Sequence, residues 1–178
     1  MPMRNRIVLQ RMVAFDLLIC HTMNRCVARK QIKKLFSFVS RLGDGLFWYA
    51  LIVFLPLIYG AIGISVSLRM TLVGILSLIV YKWIKVLTER PRPFMVSETI
   101  MLGTDPLDLY SFPSGHTLHA VAFSVTAIHY FPELAWLLLP FTTLIAASRV
   151  ILGLHYPTDV LAGASIGAVL AMLIITCI

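Results

Sequence analysis

The sequence predicts an all-α fold, a polytopic transmembrane helix bundle with five clear spans and an additional N-terminal helical segment. Apolar residues make up 59% of the 178 residues and charged residues 13%, whereas soluble domains contain about 45–50% and about 25% of these classes. The mean hydropathy is +0.89, and several segments approach the roughly 20 apolar residues that cross a bilayer. The composition is therefore that of an integral membrane protein, and its length suits one domain.

Residues 1–45 are interpreted as an N-terminal basic, amphipathic helical segment, and residues 46–178 as the transmembrane domain. The apolar stretch 7–23 contains Arg11 and Asp16, so it is either a weak sixth span or an interfacial helix. In 25–41, apolar side chains recur at three- and four-residue steps between basic ones, as in a helix on anionic lipid. The net charge of +7 is concentrated here beside membrane spans, so we expect lipid contacts and no nucleic-acid partner.

The first two spans are predicted at 46–66 and 70–87. The first carries no charge, and Trp48 and Tyr49 are placed as interfacial anchors. The loop 90–113 is rich in Pro, Asp and Gly and cannot be a spanning helix.

The last three spans are predicted at 114–131, 134–152 and 160–178. Gly153 is suited to cap the fourth of these five helices. The fifth is rich in Gly and Ala, which allow close helix packing.

Ionisable side chains collect on one side of this bundle. Consecutive spans alternate in direction, so the end of the second, the start of the third, the end of the fourth and the start of the fifth share one face. The residues placed there are Lys85, Arg92, His116, Arg149, His155 and Asp159. Such side chains are costly near hydrocarbon and usually functional, so this gathering predicts a site.

The cations of this site favour a phosphate ligand. Lys85, Arg92 and Arg149 supply three positive charges, and the arginine fork matches phosphate oxygens. The start of the third helix offers free N–H groups, Gly115 permits close approach of an anion, and Ser114 adds a hydroxyl donor.

The histidines indicate phosphoryl transfer. His155 and Asp159 are four residues apart, so a helix beginning after His155 would bring the carboxylate to the imidazole and leave the other ring nitrogen free to attack. His116 is then placed to protonate the leaving oxygen, and His119, one turn further on, is a second candidate for lining the pocket. With a cationic cradle, this set is sufficient without a metal.

No metal or cofactor site is predicted. The three cysteines show neither CxxC spacing nor a partner histidine pattern, so they are interpreted as apolar packing residues and leave the redox compartment open. They are Cys20, Cys26 and Cys177.

Three motifs together resemble those of the type 2 phosphatidic acid phosphatase superfamily, which comprises lipid phosphate phosphatases, vanadium haloperoxidases and bacterial acid phosphatases. They match in residue type, order and spacing over residues 85–159. The motifs are Lys85-x6-Arg92-Pro93, Pro113-Ser114-Gly115-His116 and Ser148-Arg149-x5-His155-x3-Asp159. The turn Gly43-Asp44-Gly45 also resembles small bacterial lipid members, as a weaker signal.

The resemblance implies a helical bundle and a phosphohistidine intermediate formed without metal. His155 would be the nucleophile, Asp159 its orienting partner and His116 the general acid. The phosphate would be held by Lys85, Arg92, Ser114, Gly115 and Arg149.

The expected function is that of a membrane phosphatase acting on a phosphorylated lipid, whose tail enters laterally between spans. An undecaprenyl-type polyprenyl diphosphate is the preferred substrate, because small bacterial members often act in carrier-lipid recycling. The alternatives are phosphatidic acid, phosphatidylglycerol phosphate, lipid A and a polyprenyl-phosphoryl sugar phosphate. A haloperoxidase is disfavoured because those members are soluble. A catalytically idle binding or scaffold protein is the alternative of another class, and no missing motif residue supports it.

The chain is expected to be a multi-pass protein of the bacterial inner membrane. The resemblance favours a periplasmic site, which requires 7–23 to cross and leaves the basic 25–41 helix outside, against the positive-inside rule. If 1–41 lies on the surface, the site and the basic segment share one side, the cytoplasmic one. We favour the periplasmic site.

Overall fold

The computed structural model describes residues 3–178, with side chains from residue 12 onward, and the side chain of Arg11 lies outside that part. Within it the regular structure is entirely helical, which confirms the all-α prediction. The helices are α1 (Met3–Asn24), α2 (Lys30–Arg41), α3 (Phe47–Thr88), α4 (Pro93–Val96), α5 (Gly115–Tyr130), α6 (Ala135–Ile151) and α7 (Pro157–Cys177). Short helical turns occupy Arg25–Ala28, Leu42–Leu46 and Pro132–Leu134.

The long helix α3 is a hairpin of two arms, 47–59 and 61–88. Gly60 breaks it with φ 57°, a left-handed conformation that glycine adopts without steric cost. The Ser67 hydroxyl donates to the Ile52 carbonyl at 2.7 Å, so the arms lie side by side. The boundary predicted between the first two spans, 46–66 and 70–87, is therefore wrong. The chain turns at Gly60 and not between residues 66 and 70.

The first arm continues a helical path that begins in α2. Ser40 near the end of α2 is buried, and the Leu42–Leu46 turn joins this helix to α3. The backbone breaks at Gly45, with φ 144°, and the domain boundary predicted between residues 45 and 46 stays a prediction. Trp48 is only 1% exposed and lies 5.3 Å from the ring of Phe123, so its predicted role as an interfacial anchor is wrong.

Helix α5 is the centre of the bundle and packs against α3, α6 and α7. A Cβ on Gly163 would lie 2.6 Å from the Ser114 carbonyl oxygen, and one on Gly167 would lie 2.3 Å from that of Leu118. These glycines let α7 approach the backbone of α5, as the small residues of the fifth span predict.

The runs long and apolar enough to cross a membrane are Lys30–Val96, which contains both arms of α3, Pro132–Ile151 and Pro157–Cys177. Among the described residues, the 16-residue helix α5, which corresponds to the predicted third span, is not one of these runs, and neither is helix α1. The inner face of α1 instead contacts the ends of other helices, since Cys20 donates to the His155 carbonyl at 3.7 Å and Asn24 to the Ile151 carbonyl at 2.9 Å. Residues 16–24 of α1 therefore pack across the end of the bundle that carries the predicted site.

Candidate active site

A cavity of about 430 Å³ opens between the arms of α3, α5 and the loops at one end of the bundle. Its inner part is apolar, with Trp48, Ile52, Ile75, Leu78 and Phe123 in its wall. Its outer part is polar and contains most of the residues predicted for the site. Those that line it are Lys85, Arg92, Gly115, His116, Arg149 and His155.

The end of α6 places His155 at this cavity. Gly153 adopts φ 74°, its N–H donates to the Val150 carbonyl at 3.0 Å, and the N–H of Leu154 donates to that of Arg149 at 3.1 Å. This is the pattern of a Schellman C-cap, and it confirms the role predicted for Gly153. This reversal of the chain direction brings His155 close to Arg149.

The predicted approach of Asp159 to His155 is present. Helix α7 begins at Pro157, and Asp159 Oδ2 lies 3.5 Å from His155 Nδ1. The same oxygen accepts the backbone N–H of Tyr156 at 2.9 Å, so Asp159 also stabilises the first turn of α7. The other ring nitrogen, Nε2, lies 3.3 Å from Nη1 of Arg92.

The surroundings of His155 favour the neutral form of its imidazole. It lies in the loop between α6 and α7, outside the spanning helices. Burial, followed by the charges of Arg149, Arg92 and Lys85, lowers its pKa well below the usual value of 6.5. A neutral ring has an unprotonated nitrogen, which is the form required for nucleophilic attack.

Two of the predicted phosphate ligands are bridged by a carboxylate that the sequence analysis did not identify. Asp108 Oδ1 lies 2.5 Å from Lys85 Nζ and 2.7 Å from Arg92 Nη2. Burial tends to raise the pKa of the Asp108 carboxyl, but hydrogen bonds and charges from Lys85 and Arg92 outweigh it and hold the pKa below its usual value. The loop 90–113 was interpreted only as a connection, and no spacing rule distinguishes Asp108 within it.

Arg149 is buried, and its Nη1 donates to the Ser40 hydroxyl at 2.5 Å. Its Nε has no hydrogen-bond partner among the described residues. The Arg149 guanidinium therefore retains an unused N–H donor for an anion in the cavity.

His116 is bonded through Nε2 to the carboxylate of Asp44. Asp44 lies in the turn between α2 and α3, where Gly45 has φ 144°. The Gly43-Asp44-Gly45 pattern was the available signal, although it assigned no role to the aspartate. His119 lines the cavity, as its alternative interpretation suggested, and its Nδ1 lies 2.9 Å from the Gly115 carbonyl.

Two predicted site residues do not line the cavity. Asp159 lies behind His155 and is fully buried. Ser114 is also fully buried, and its hydroxyl lies 3.0 Å from that of Thr117. Its predicted contact with phosphate therefore stays a prediction.

Arg90 and Asp16 adjoin the site and were also missed. Arg90 Nη1 donates to Asp159 Oδ1 at 2.6 Å, and its Nη2 donates to Asp16 at 2.8 Å. Arg90 lies two residues before a motif arginine, and in the sequence Asp16 is distinguished only as a charge within an apolar stretch. Among the described residues no His, Cys, Asp or Glu cluster could hold a metal ion.

Comparison with known proteins relates most of the chain to one family. The PAP2 superfamily model matches residues 64–178. An undecaprenyl-diphosphatase of Sulfolobus acidocaldarius is 30% identical over 141 residues, which are 78% of this chain and 67% of that protein. The undecaprenyl-diphosphatase BcrC of Bacillus subtilis is 33% identical over 100 residues, 56% of this chain and 51% of that protein. The chain thus matches about half the length of BcrC.

The fold is also similar to that of a solved protein. The crystal structure of LpxE from Aquifex aeolicus superimposes with a TM-score of 0.76 and 25% sequence identity. The match covers 90% of this chain and 94% of the other.

Proposed function

The chain belongs to the PAP2 superfamily, and from this premise we propose that it is a membrane-embedded lipid phosphatase. It hydrolyses a phosphomonoester or diphosphate of a lipid through a phosphohistidine intermediate. The observation that carries the proposal is the continuity of the cavity, whose outer part holds His155 among cations and whose inner part is apolar. A phosphorylated head group fits the first part and a lipid tail the second.

In the proposed reaction, Nε2 of His155 attacks the phosphorus while Asp159 stabilises the charge that develops on the ring. The bond from phosphorus to the leaving oxygen breaks, and His116 gives that oxygen a proton. Water then attacks the phosphorus of the phosphohistidine as His116, now unprotonated, accepts a proton from it. The phosphorus–nitrogen bond breaks, which releases inorganic phosphate and restores the imidazole of His155. Lys85, Arg92 and Arg149 compensate the negative charge of the transferring group throughout, and no step uses a metal.

An undecaprenyl-type polyprenyl diphosphate is the proposed substrate. The support is the similarity to two proteins named undecaprenyl-diphosphatase and the apolar inner cavity. Transfer of the terminal phosphoryl group from such a lipid leaves a polyprenyl phosphate. The alternatives remain phosphatidic acid, phosphatidylglycerol phosphate, lipid A and a polyprenyl-phosphoryl sugar phosphate.

Phosphate release from each of these lipids by the purified protein in detergent, with excess EDTA, tests the proposal. We expect turnover with the highest kcat/KM on the polyprenyl diphosphate, and none for His155→Ala. His129→Ala is the matched control, because His129 packs on Tyr130 at the opposite end of α5. Absence of turnover on every lipid, or a strict Mg²⁺ requirement, would refute the proposal, and full activity of His155→Ala would refute the nucleophile.

We further propose that the protein lies in the bacterial inner membrane with this site on the periplasmic side. The basic part of α2 lies at the same end, since Ser37 is 3.5 Å from the Gly103 carbonyl, so the positive-inside rule argues for the cytoplasmic side. Single cysteines at Lys30, Asp105 and Glu133, in a cysteine-free background, distinguish the two. Labelling of the first two, but not of the third, by an impermeant maleimide on intact cells is expected. The reverse pattern would place the site in the cytoplasm.

A further inference from the structure

An ion cluster with two buried carboxylates and a partly exposed arginine lies directly behind His155 and joins three separate parts of the chain. Arg90, after the end of α3, donates from Nη1 to Asp159 of α7 at 2.6 Å and from Nη2 to Asp16 of α1 at 2.8 Å. Asp16 and Asp159 are 1% and 0% exposed. Charges this deeply buried need partners, and here one guanidinium serves two carboxylates.

Asp16 also fixes the first turn of α7. Its Oδ1 accepts the backbone N–H of Thr158 at 3.2 Å, and its Oδ2 accepts the Thr158 hydroxyl. The guanidinium of Arg90 donates to the same hydroxyl at 2.8 Å and lies 3.9 Å from the centroid of the Tyr156 ring. The orientation of the Arg90 fork is thus determined by Asp16 on one side and by α7 on the other.

The guanidinium of Arg90 in turn determines how the Asp159 carboxylate faces His155. Arg90 occupies Oδ1 of Asp159, and the Tyr156 N–H and His155 Nδ1 both face Oδ2. Without Asp16, Nη2 of Arg90 would lose its carboxylate, and the guanidinium could rotate away from Oδ1. The carboxylate would then be held only through Oδ2 by the Tyr156 N–H, and its position 3.5 Å from His155 Nδ1 would be less constrained.

We propose that Asp16 is a positioning residue that acts through Arg90 to hold Asp159 near His155. The proposal rests on the proposed function of His155 as nucleophile. It assigns a role to the charge that interrupts the N-terminal apolar stretch.

Asn24 provides a matched control on the same helix. It is buried to the same extent as Asp16, with 1% exposure, and it anchors α1 through hydrogen bonds to the Met101 and Ile151 carbonyls at 2.8 and 2.9 Å. It has no contact with Arg90 or Asp159 among its hydrogen bonds. Asn24→Ala therefore loosens the docking of α1 without touching the ion cluster.

The test compares Asp16→Asn, Asn24→Ala, Arg90→Gln and the Asp16→Asn/Arg90→Gln double variant for kcat on a lipid phosphate, orthovanadate affinity and Tm. Small misplacements of catalytic groups cost up to about 100-fold in rate, so Asp16→Asn should lower kcat about 10- to 100-fold. Its vanadate affinity should stay near that of the wild type, because the phosphate cradle is intact. Asn24→Ala should lower Tm but leave kcat nearly unchanged. The double variant should be no slower than Arg90→Gln, since the two residues act in series.

A second readout is independent of turnover. The ¹⁵N resonances of the His155 ring, assigned with His155→Ala, should shift in Asp16→Asn and not in Asn24→Ala. Unchanged resonances in Asp16→Asn would overturn the inference, as would additive losses in the double variant or equal losses of kcat in Asp16→Asn and Asn24→Ala. A wild-type protein without phosphatase activity would instead overturn the proposed function, and the resonances would still decide whether Asp16 positions the ring.

Discussion

Asp108→Asn should tighten the binding of phosphate-like anions, although it removes two ion pairs. One oxygen of Asp108 bridges Lys85 and Arg92 at 2.5 and 2.7 Å, so an anion that binds both cations must first displace this carboxylate. Asparagine keeps the side-chain volume and removes the competing charge.

The size of the effect follows from those two contacts. A hydrogen bond to a charged group contributes about 1.5–3 kcal/mol net. The Asp108 side chain is 36% exposed, so solvent screening reduces this contribution, and we assign about 1.5–3 kcal/mol to both contacts together. Every 1.4 kcal/mol is a factor of about ten in affinity, so orthovanadate should bind about 10- to 100-fold more tightly to the variant.

Isothermal titration with orthovanadate, and inhibition of turnover by vanadate and by inorganic phosphate, measure this change. Asp105→Asn is the control, because Asp105 lies in the same loop, is exposed, and forms no ion pair among the described residues. KM should fall with the vanadate dissociation constant, and product inhibition should increase. Unchanged or weaker vanadate binding would show that Asp108 positions the two cations and does not compete with the substrate.

Three further predictions concern the proposed chemistry. His116→Ala should slow release of an alkoxide from phosphatidic acid far more than release from an aryl phosphate, whose leaving oxygen needs no proton; equal losses in kcat would contradict a general acid. Asp159→Asn should lower kcat by up to about 10⁴-fold, as in a serine triad, with near-normal vanadate affinity. Arg149→Lys should instead weaken vanadate binding, because lysine lacks the bidentate donors of the guanidinium. Normal activity of Asp159→Ser would instead leave only a stabilising role at the start of α7. Because the pKa of His155 is lowered below 6.5, its ring ¹⁵N shifts should remain those of neutral imidazole as the pH falls from about 7.5 to about 6, and a protonated ring at the lower pH would contradict the buried, cation-rich site.

The features that the sequence determined by itself are those encoded over short distances along the chain. The composition requires a membrane bundle, because so few charges cannot cover a soluble surface. The separation of His155 and Asp159 brings their side chains within 3.5 Å as soon as α7 begins at Pro157, and Gly153 ends α6 for the local reason that its φ is positive. Alternation of the spans then places the motif residues at one end.

Only the tertiary structure determines which groups from distant parts of the chain contact these residues. The partners of His116 and Arg90, Asp44 and Asp16, are 72 and 74 residues away, and no periodicity relates such positions. The turn at Gly60 likewise depended on how two apolar arms pack, since both sides of the break are equally hydrophobic in sequence. Local spacing fixes a residue's place on its own helix, but the helices against which it packs are selected by the free energy of the whole bundle. For that reason the structure was needed to identify Asp16, Asp44 and Asp108 as partners of the cations and histidines.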